Sequence, residues 1–585
     1  MKKYIEIGSK FIIYYIVLFG TFLILSFGFT DHAFYLHMRR FIPAALACVL
    51  PYIFYKNYSI KYFLSEILVA LSWALTIPII NNIASKSTAS SMTFPYEIAF
   101  GAYIFTALVI GKSFLYRRKL LAATFNFLKL CLLLIPILHI AHYTLFHHSV
   151  TVNTVMVVFQ TNMAEALEYM QSIDVSIYIG ILVICSVFIF LCYKEILALH
   201  NITLQFRGKK SQYVALCLLP ILLYYALISL APRTRYLSTP IAVNDYFASV
   251  AKYKALHGKI IGDLQVKNNY QSSKPHTIIM VIGESATRDY MSAFNNLDDE
   301  TTPWLASQKD IFLIKNAYAC AWNTVPALEH ALTEADFYNN DEFNSSISII
   351  DIAKKAGYKT YWFSKQGKVG AYDTPITLVA ETADVSEWDE SSPYDESLLD
   401  KLKQINPNEN NFVVLHLMGS HIEYKNRYPS KYQIWTDPDT LGRLADYKNS
   451  ILYTDTILKQ IFEYSKENLN MEAMVYFSDH GTDPNRSRDP DESRFIGLRI
   501  PIFVYLSPEY KKYNTLVADS IKINKDRFFS NDLVYNLMCG ILDIESNHYQ
   551  KDKSLTSTQY KFDKNTTKAG LGTKFVKDDL WLQGK

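Results

Sequence analysis

The run HTIIMVIGES occupies residues 276–285 of the 585-residue chain. Its apolar residues continue without interruption from Ile278 to Ile282, and Gly283 and Glu284 follow them. An apolar run of this length that ends at a glycine is typical of a strand buried on both faces of a parallel sheet. Because ligands bind beyond the carboxyl ends of the strands in such sheets, we expect Glu284 to lie at the functional edge of the sheet.

Further strand-like runs follow towards the C-terminus. They lie at 358–363, 411–418, 473–477 and 500–506, and helical patterns at 347–356 and 447–464 are interspersed with them. Strands that alternate with helices indicate a mostly parallel sheet covered on both faces. We therefore predict that residues 274–585 form one α/β domain and that the polar, mixed segment 232–273 is its linker.

Residues 1–231 have a different character, because long apolar runs recur throughout them. These runs lie near 11–29, 41–55, 62–80, 98–116, 120–141, 176–192 and 213–231. Most of them are long enough to cross a hydrocarbon core of about 30 Å as helices, and 41–55 is the shortest. The sequence therefore predicts an N-terminal transmembrane helical bundle of about seven spans, with an extracytoplasmic loop at 143–175.

Basic residues mark every second connection between the predicted spans. They precede the first span and recur at 56–61, 112–119 and 194–210. Positively charged loops stay in the cytoplasm, so the N-terminus is predicted to be cytoplasmic and the C-terminal domain extracytoplasmic. Five crossings would give the same final orientation as seven. Arg39 and Arg40 lie on the opposite side from this pattern.

The overall composition excludes several classes of protein. Half of the residues are hydrophobic and only 19% are charged, with a formal net charge of +3. Such a balance does not suit a protein that binds nucleic acid through bulk charge. Of the seven cysteines, only Cys320 and Cys539 lie outside the apolar N-terminal part, so no disulfide framework or cysteine-based zinc site is encoded.

Three polar motifs lie at predicted sheet edges. Glu284 follows the first strand, and the adjacent Asp479 and His480 follow the strand 473–477. Carboxylate and imidazole groups are ordinary zinc ligands. Thr324 lies two residues before Pro326, a residue that suits the first turn of a helix, and a metal would be needed to activate the threonine hydroxyl. Each motif alone is more typical of a turn or a helix cap; their recurrence at successive sheet edges favours a site.

With these motifs, the chain resembles the membrane-anchored phosphoethanolamine transferases of the alkaline phosphatase superfamily, which modify lipid A and lipopolysaccharide core. The resemblance covers the whole chain. The matching motifs in the C-terminal half lie at residues 281–285, around Thr324, and at 394–396, 416–421, 426–429 and 478–481. The resemblance implies a sulfatase-like catalytic domain in the periplasm and a multi-pass anchor in the bacterial inner membrane.

The same resemblance implies roles for particular residues. Glu284, Thr324, Asp479 and His480 would bind zinc, or manganese as the alternative ion, and Thr324 would be the nucleophile. His421 and His416 would contact substrate, although His416 has an equally good structural interpretation inside the core. In the loop 143–175, Glu165 would lie near the ethanolamine ammonium of the donor lipid.

Two departures from the lipid A enzymes bear on the acceptor and the metal count. The sequence has no histidine between His480 and His548, where those enzymes often have one near the active site. Arg486 and Arg488 lie in that interval instead and could grip a phosphate. The disulfides common in the lipid A enzymes are also missing. Both departures favour a core-sugar or other glycan acceptor, and the number of metals stays open.

The predicted function is transfer of phosphoethanolamine from phosphatidylethanolamine to a lipopolysaccharide or other envelope glycan, through a phospho-threonine intermediate. One alternative is a phosphoglycerol transferase resembling lipoteichoic acid synthase, which shares the Glu, Thr and Asp-His pattern. A sulfatase fits less well, because its motif needs cysteine at position 324 and arginine where Leu328 stands. A third reading is a catalytically inactive membrane scaffold.

Overall fold

The computed structural model describes most of the chain, with short gaps. The described residues are 2–26, 34–56, 58–59, 62–84, 93–116, 118–147, 149–161, 163–198, 205–270, 272, 274–339, 341–367, 374–389, 392–436, 443–486 and 494–582. They divide into two compact units. The first unit comprises Met1–Val155 with Ile173–Asp245, and the second comprises Met156–Ser172 with Tyr246–Lys585.

The first unit is built from long apolar helices. They are α1 (Lys2–Leu25), α2 (Phe34–Phe54), α3 (Leu64–Ala84), α4 (Phe94–Leu115), α5 (Lys119–Phe146), α6 (Val152–Gln160, whose last residues belong to the second unit), α8 (Val175–Ala198) and α9 (Lys209–Tyr224). A π-helical turn (Tyr225–Leu230) and a 3-10 turn (Ala231–Arg233) extend α9.

Six helices within the described residues are long and apolar enough to cross a membrane. They cover six of the seven predicted spans. The remaining prediction, 41–55, falls in α2, which is not among the six. α2 is 21 residues long, but its apolar part begins only after Arg40 and contains Pro43 and Pro51, so its composition sets it apart from the six, and the number of seven spans stays a prediction. α2 nevertheless packs against α1 and α4.

A charged cluster lies inside this bundle and joins three of its helices. Glu66 on α3 accepts from the Lys112 ammonium on α4 at 3.0 Å and from the Lys129 ammonium on α5 at 2.8 Å. Lys129 also donates to Ser65 at 2.6 Å. All three charged side chains are at most 4% exposed, so the two ammonium groups share the Glu66 carboxylate as their counter-charge in an environment without water.

The second unit centres on a sheet of seven strands in the order β3-β9-β8-β2-β7-β5-β6. The strands are β2 (Thr277–Gly283), β3 (Ile311–Leu313), β5 (Lys359–Ser364), β6 (Val385–Trp388), β7 (Asn411–His416), β8 (Met471–Ser478) and β9 (Ile502–Leu506). β2, β5, β6, β7 and β8 run parallel, whereas β9 is antiparallel to both β8 and β3. The predicted α/β domain with a mostly parallel sheet is therefore confirmed.

Three two-stranded sheets accompany the main sheet. They pair β1 (Val266–Asn268) with β11 (Ile544–Ser546), β4 (Ala317–Tyr318) with β10 (Phe529–Ser530), and β12 (Lys568–Ala569) with β13 (Lys574–Phe575).

The remaining helices belong wholly or mainly to the second unit. They are α7 (Met163–Ser172), α10 (Arg235–Asp263), α11 (Pro303–Ser307), α12 (Thr324–Ala331), α13 (Ile349–Lys355), α14 (Pro375–Ala380), α15 (Leu398–Leu402), α16 (Arg443–Asn468), α17 (Pro508–Tyr513), α18 (Thr515–Asn524) and α19 (Val534–Ile541). The segment 232–273, predicted as a linker, therefore consists largely of α10, which begins in the first unit.

Both faces of the main sheet are buried, as the uninterrupted apolar run in β2 predicts. Ile278, Met280 and Ile282 face one hydrophobic core. Ile279 and Val281 alternate with them and face a second core on the other side. A sheet enclosed in this way leaves only its edges and strand ends for polar groups, so the polar residues after β2 and β8 meet at one sheet edge.

Candidate active site

The register between β2 and β8 places two acidic residues side by side. The strands are parallel neighbours, and Gly283 pairs with Ser478 in the last step of the ladder. Glu284 and Asp479 are the next residues of the two strands, so they leave the sheet at the same end. Asp479 donates its backbone N–H to the Gly283 carbonyl at 3.0 Å, which extends the pairing beyond the strand.

The side chains of Glu284, Asp479 and His480 converge on one point. His480 Nε2 lies 3.5 Å from Glu284 Oε1 and 3.4 Å from Asp479 Oδ2. One ligand atom from each of the three residues lies within 4.8 Å of the other two. All three side chains are buried, so water competes little for these atoms.

Thr324 completes this group from the other side. α12 begins at Thr324, with Asn323 as its N-cap in an extended conformation. The Thr324 hydroxyl donates to Glu284 Oε2 at 2.9 Å, and its oxygen lies 3.4 Å from His480 Nε2. The predicted position of Thr324 at a helix N-terminus is therefore observed. Although Thr324 is distant in sequence from β2 and β8, its hydroxyl reaches the Glu284 carboxylate.

The electrostatics of the group favour a bound cation. Burial raises the pKa of Asp479 well above its ordinary value, and the neighbouring Glu284 carboxylate raises this pKa further. Asp479 Oδ1 accepts the backbone N–H groups of Ser285 and His480, at 2.9 and 2.7 Å, but Oδ2 accepts no hydrogen bond. An unsatisfied carboxylate oxygen beside a second carboxylate and an imidazole fits the donor set of zinc.

Gln366 holds Glu284 in place and was not identified from the sequence. Its side-chain amide donates to Glu284 Oε2 at 2.9 Å and to the Leu417 carbonyl at 3.1 Å. Ser285 donates to the other oxygen, Glu284 Oε1, at 2.5 Å. The signal was present, because Gln366 follows the predicted strand 358–363, and the residues beyond a parallel strand's carboxyl end are those that reach the site.

Asn531 is a second residue that sequence reasoning missed. Its amide donates to the Asp479 carbonyl at 2.6 Å, and its carbonyl oxygen accepts the backbone N–H of Cys320 at 2.7 Å. This side chain therefore ties the Asp479-His480 turn to the segment that leads into Thr324. No strand-end pattern marks Asn531, which lies in a 3-10 turn before α19.

The turn after β7 packs directly on the backbone of Glu284. Gly419 has φ +51°, and a Cβ atom there would lie 2.9 Å from the Glu284 nitrogen, so glycine is required. Asp395 accepts the backbone N–H groups of Met418 and Gly419, at 2.7 and 3.0 Å. The motif at 394–396 therefore stabilises the conformation of this turn, because the Asp395 carboxylate accepts two of its backbone N–H groups.

The two candidate substrate histidines differ in their surroundings. His416 is the last residue of β7 and is only 2% exposed, and burial lowers its pKa to about 4. Its Nδ1 lies 3.4 Å from the Ser364 hydroxyl. His421 lies in the turn beyond β7 and is partly exposed. His416 is therefore placed as a core residue, and His421 is the histidine that solvent can reach, while the predicted contact of either histidine with substrate stays a prediction.

The loop 143–175, which was predicted to be extracytoplasmic, contributes a helix to the second unit. Glu165 belongs to α7, but its side chain lies outside the described part of the structure, so its predicted contact stays a prediction. Glu168 on the same helix forms an ion pair with the Arg427 guanidinium. Arg427 is 7% exposed and also donates to the Ile422 carbonyl at 3.1 Å. Arg427 therefore fixes α7 beside the turn that carries His421.

Comparisons with known proteins agree with this fold. The Sulfatase family model matches residues 276–539. A protein of Haemophilus influenzae named "Putative phosphoethanolamine transferase" is 31% identical over 340 residues, which cover 55% of this chain and 67% of that protein. Phosphoethanolamine transferase EptC of Escherichia coli is 26% identical over 337 residues, which cover 53% of this chain and 57% of EptC.

A solved structure matches most of the chain, including the helical unit. The integral membrane protein lipooligosaccharide phosphoethanolamine transferase A of Neisseria meningitidis superposes with a TM-score of 0.59 over 84% of this chain and 98% of that chain. The sequence identity is 17%, so this likeness establishes the fold. With six apolar helices of spanning length among the described residues, the protein is a multi-pass membrane protein. The chain belongs to the phosphoethanolamine transferase family, and its residues 276–539 match the Sulfatase family model.

Proposed function

We propose that this protein transfers phosphoethanolamine from phosphatidylethanolamine to a lipopolysaccharide or another envelope glycan, with Thr324 as the nucleophile. The observation that carries the proposal is the hydrogen bond of 2.9 Å from the Thr324 hydroxyl to Glu284, beside His480 and Asp479. A threonine hydroxyl at a buried carboxylate cluster is placed to be deprotonated and to attack phosphorus. The identity of the transferred group is inferred from the relatives, which are named phosphoethanolamine transferases.

Glu284, Asp479, His480 and Thr324 would together hold one zinc ion. A bound divalent cation lowers the pKa of a coordinated hydroxyl and offsets the charge of the phosphoryl group. Gln366 and Ser285 would keep the Glu284 carboxylate oriented, because each donates to a different oxygen of this carboxylate. Second-layer hydrogen bonds of this kind set the geometry of metal ligands.

The reaction would proceed in two balanced steps. Thr324 Oγ1 attacks the phosphorus of phosphatidylethanolamine, the bond from phosphorus to the diacylglycerol oxygen breaks, and the threonine proton ends on the released diacylglycerol. An acceptor oxygen then attacks the phosphothreonine, the Thr324 O–P bond breaks, and the acceptor proton returns to Thr324. His421, partly exposed beyond β7, would carry a proton to or from the departing or incoming oxygen.

The membrane unit would bring both lipid substrates to the catalytic domain. We place the protein in the bacterial inner membrane with the catalytic domain in the periplasm, on the basis of the basic connections between spans. The donor is a membrane lipid, and a lipopolysaccharide acceptor is one too. Tethering therefore raises their effective concentration at the catalytic domain.

Replacement of the nucleophile tests the proposal. Thr324→Ala should lower transfer by at least about a thousandfold, because the covalent intermediate cannot form. Thr324→Ser is the matched control, since it keeps a hydroxyl at the same position and should retain measurable turnover. Both variants should keep the thermal unfolding midpoint of the wild type. Transfer by Thr324→Ala at the wild-type rate would contradict the assignment.

The transferred group and the acceptor can be read in one measurement. Intact-mass spectra of lipopolysaccharide from cells with and without the protein should differ by one phosphoethanolamine unit, and fragmentation would map this unit to core or lipid A. Purified protein should release diacylglycerol from phosphatidylethanolamine but not from phosphatidylglycerol. Release from phosphatidylglycerol alone would instead support a phosphoglycerol transferase, and release from neither lipid would support an inactive scaffold.

A further inference from the structure

Two arginines stack on one tyrosine ring at an end of the helical bundle. The Arg40 guanidinium carbon lies 3.8 Å from the centroid of the Tyr96 ring, and that of Arg233 lies 5.8 Å from the same centroid. Arg40 lies in the first half of α2, Tyr96 in the first turn of α4, and Arg233 at the end of the 3-10 turn after α9. All three residues belong to the first unit, so one compact body presents both guanidinium groups.

This cluster carries excess positive charge. Arg235 lies two residues beyond Arg233, and its backbone N–H donates to Glu97 Oε1 at 3.1 Å. Glu97 is fully buried. Within the described ranges, no carboxylate forms an ion pair with Arg40 or Arg233. Glu97 therefore accepts from the backbone of Arg235 and forms no ion pair with a guanidinium group, and Arg40 and Arg233 keep their positive charges without a carboxylate partner among these described residues.

The location of the cluster makes this excess unusual. α2 and α4 begin at this end of the bundle, and the helix formed by α9 and its extension finishes here. The opposite end carries the expected basic residues: Arg207 donates its backbone N–H to the Phe54 carbonyl, and Lys56 donates to the Gln205 carbonyl. Arg40 is therefore one of the two arginines that break the positive-inside pattern, on the side predicted to be extracytoplasmic. Basic residues near that side oppose the predicted orientation of the protein in the membrane. A bound anion would compensate the positive charge of Arg40 there.

We propose that Arg40 and Arg233 form a binding site for the phosphate of a membrane lipid. The planar guanidinium fork matches phosphate oxygens in bidentate fashion, and stacking on Tyr96 orders both forks before the ligand arrives. The two candidate ligands share this phosphate chemistry: the phospholipid donor and a phosphorylated glycolipid acceptor. The existence of the site stands apart from the proposed function, and only the choice between these two lipids rests on it.

Lipid binding to the full-length protein tests the site directly. The test compares the double variant Arg40→Gln/Arg233→Gln with Arg39→Gln, which removes the exposed neighbouring arginine. Native mass spectrometry would measure the retention of phosphatidylethanolamine, phosphatidylglycerol, phosphorylated lipid A and phosphate-free diacylglycerol. The double variant should retain the phosphate-bearing lipids at least about tenfold less well than the wild type. Arg39→Gln should retain them as the wild type does, and the retention of diacylglycerol should be the same in all three proteins.

A second variant distinguishes phosphate binding from a structural role of the arginines. The variant Arg40→Lys/Arg233→Lys keeps the charge and the contact with Tyr96 but loses the planar fork. If the arginines bind phosphate, this variant should keep the thermal midpoint and still lose part of the lipid retention. Equal loss in Arg39→Gln, or unchanged retention in the double glutamine variant, would overturn the proposal. A lowered midpoint with unchanged retention would also overturn it, by assigning the pair to stability.

Kinetics would identify which lipid occupies the site. If the phosphate belongs to the donor, the double glutamine variant should raise KM for phosphatidylethanolamine about tenfold with little change in kcat; if it belongs to the acceptor, KM for the glycolipid should rise instead. In a Thr324→Ala background the retention difference should persist although turnover is lost. This background separates failure of the site from failure of the proposed function.

Discussion

Each unit contains a buried cluster of charged side chains. In the helical bundle the carboxylate of the cluster is compensated by positive charges, whereas the two carboxylates of the cluster in the second unit are not compensated. In the helical bundle, Glu66 lies within 3.0 Å of both Lys112 and Lys129, so each charge meets its opposite. In the second unit, Glu284 and Asp479 approach each other around His480, and Asp479 Oδ2 accepts no hydrogen bond. Both groups are almost completely shielded from water.

The difference separates a structural cluster from a functional one. Opposite charges that satisfy one another fix the relative positions of three helices and need no ligand. Two carboxylates that face each other are unfavourable until a proton or a cation arrives, and such arrangements are concentrated at active sites. The pattern of compensation, rather than burial or charge alone, therefore indicates which cluster performs chemistry.

Glu66→Gln would break the compensated cluster and should have the largest effect on stability. It leaves two buried ammonium groups without their carboxylate, and removal of one partner from a buried ion pair costs about 3–5 kcal/mol. Thermal unfolding of the purified full-length protein in detergent measures this loss. Glu6→Gln is the matched control, because Glu6 is exposed on α1 and its replacement should change the midpoint little. An unchanged midpoint in Glu66→Gln would show that the cluster is not needed for stability.

His416 offers a third buried ionisable group with which to sharpen the comparison. Burial lowers its pKa to about 4, whereas the unfolded chain titrates near 6.5. Below about pH 6.5 the unfolded state binds a proton that the folded state refuses, so the contribution of His416 to stability is complete above this pH. It is lost as the pH falls towards 4, and the loss amounts to about 3 kcal/mol.

His416→Asn should therefore flatten the decline of stability between about pH 6.5 and 4. Unfolding free energies measured across this range, for variant and wild type together, test the expectation. His548→Asn serves as control, because Glu334 raises the pKa of His548 and its removal does not flatten the acid side. A decline in His416→Asn as steep as that of the wild type would mean that His416 titrates normally and is accessible.

Gln366→Ala would disturb the uncompensated cluster without removing any ligand. The amide that donates to Glu284 Oε2 would be lost, and loss of such a second-layer hydrogen bond lowers metal affinity about 10- to 100-fold. Competition titration with a zinc chelator measures this affinity. The exposed Gln433, also in the second unit, provides Gln433→Ala as a control with unchanged affinity. Equal affinities in both variants would remove Gln366 from the site.

Asp479→Asn should give a small effect of opposite sign to Glu66→Gln. An amide resembles the protonated carboxyl that the metal-free cluster favours, since burial and Glu284 raise the pKa of Asp479. In the presence of a chelator, the free energy of unfolding of the variant should exceed that of the wild type by about 1 kcal/mol, whereas its affinity for zinc should be lower. Asp519→Asn, at an exposed position, is the control. A loss of metal-free stability would show that the two carboxylates do not repel each other.

Much of the fold could be predicted, because its signals are local. The apolar runs at 276–283, 411–418 and 473–477 predict β2, β7 and β8 within a few residues, and strand-end chemistry predicts Glu284, Asp479 and His480. Thr324 lies at the start of α12 as expected. These residues converge in the structure, while their roles in metal binding and catalysis stay predictions.

The features that were not predicted depend on long-range pairing. The run 500–506 indicates a strand, but its antiparallel direction in β9 is set by the neighbours β8 and β3. The helix α10 lies in a polar segment that was expected to be a linker. Gln366 and Asn531 act through hydrogen bonds to residues 82 and 52 positions away, and no spacing in a single sequence encodes such partners.

The origin of the site in distant chain segments has a consequence for biosynthesis. Glu284 and Thr324 leave the ribosome well before Asp479 and His480, so a nascent or truncated chain holds only half of the ligand set. If the proposed metal site exists, capture of the metal has to wait until β8 has joined β2 in the sheet. Binding of the proposed metal would then stabilise completed chains alone, and incomplete products would lack that stabilisation and be open to proteolysis.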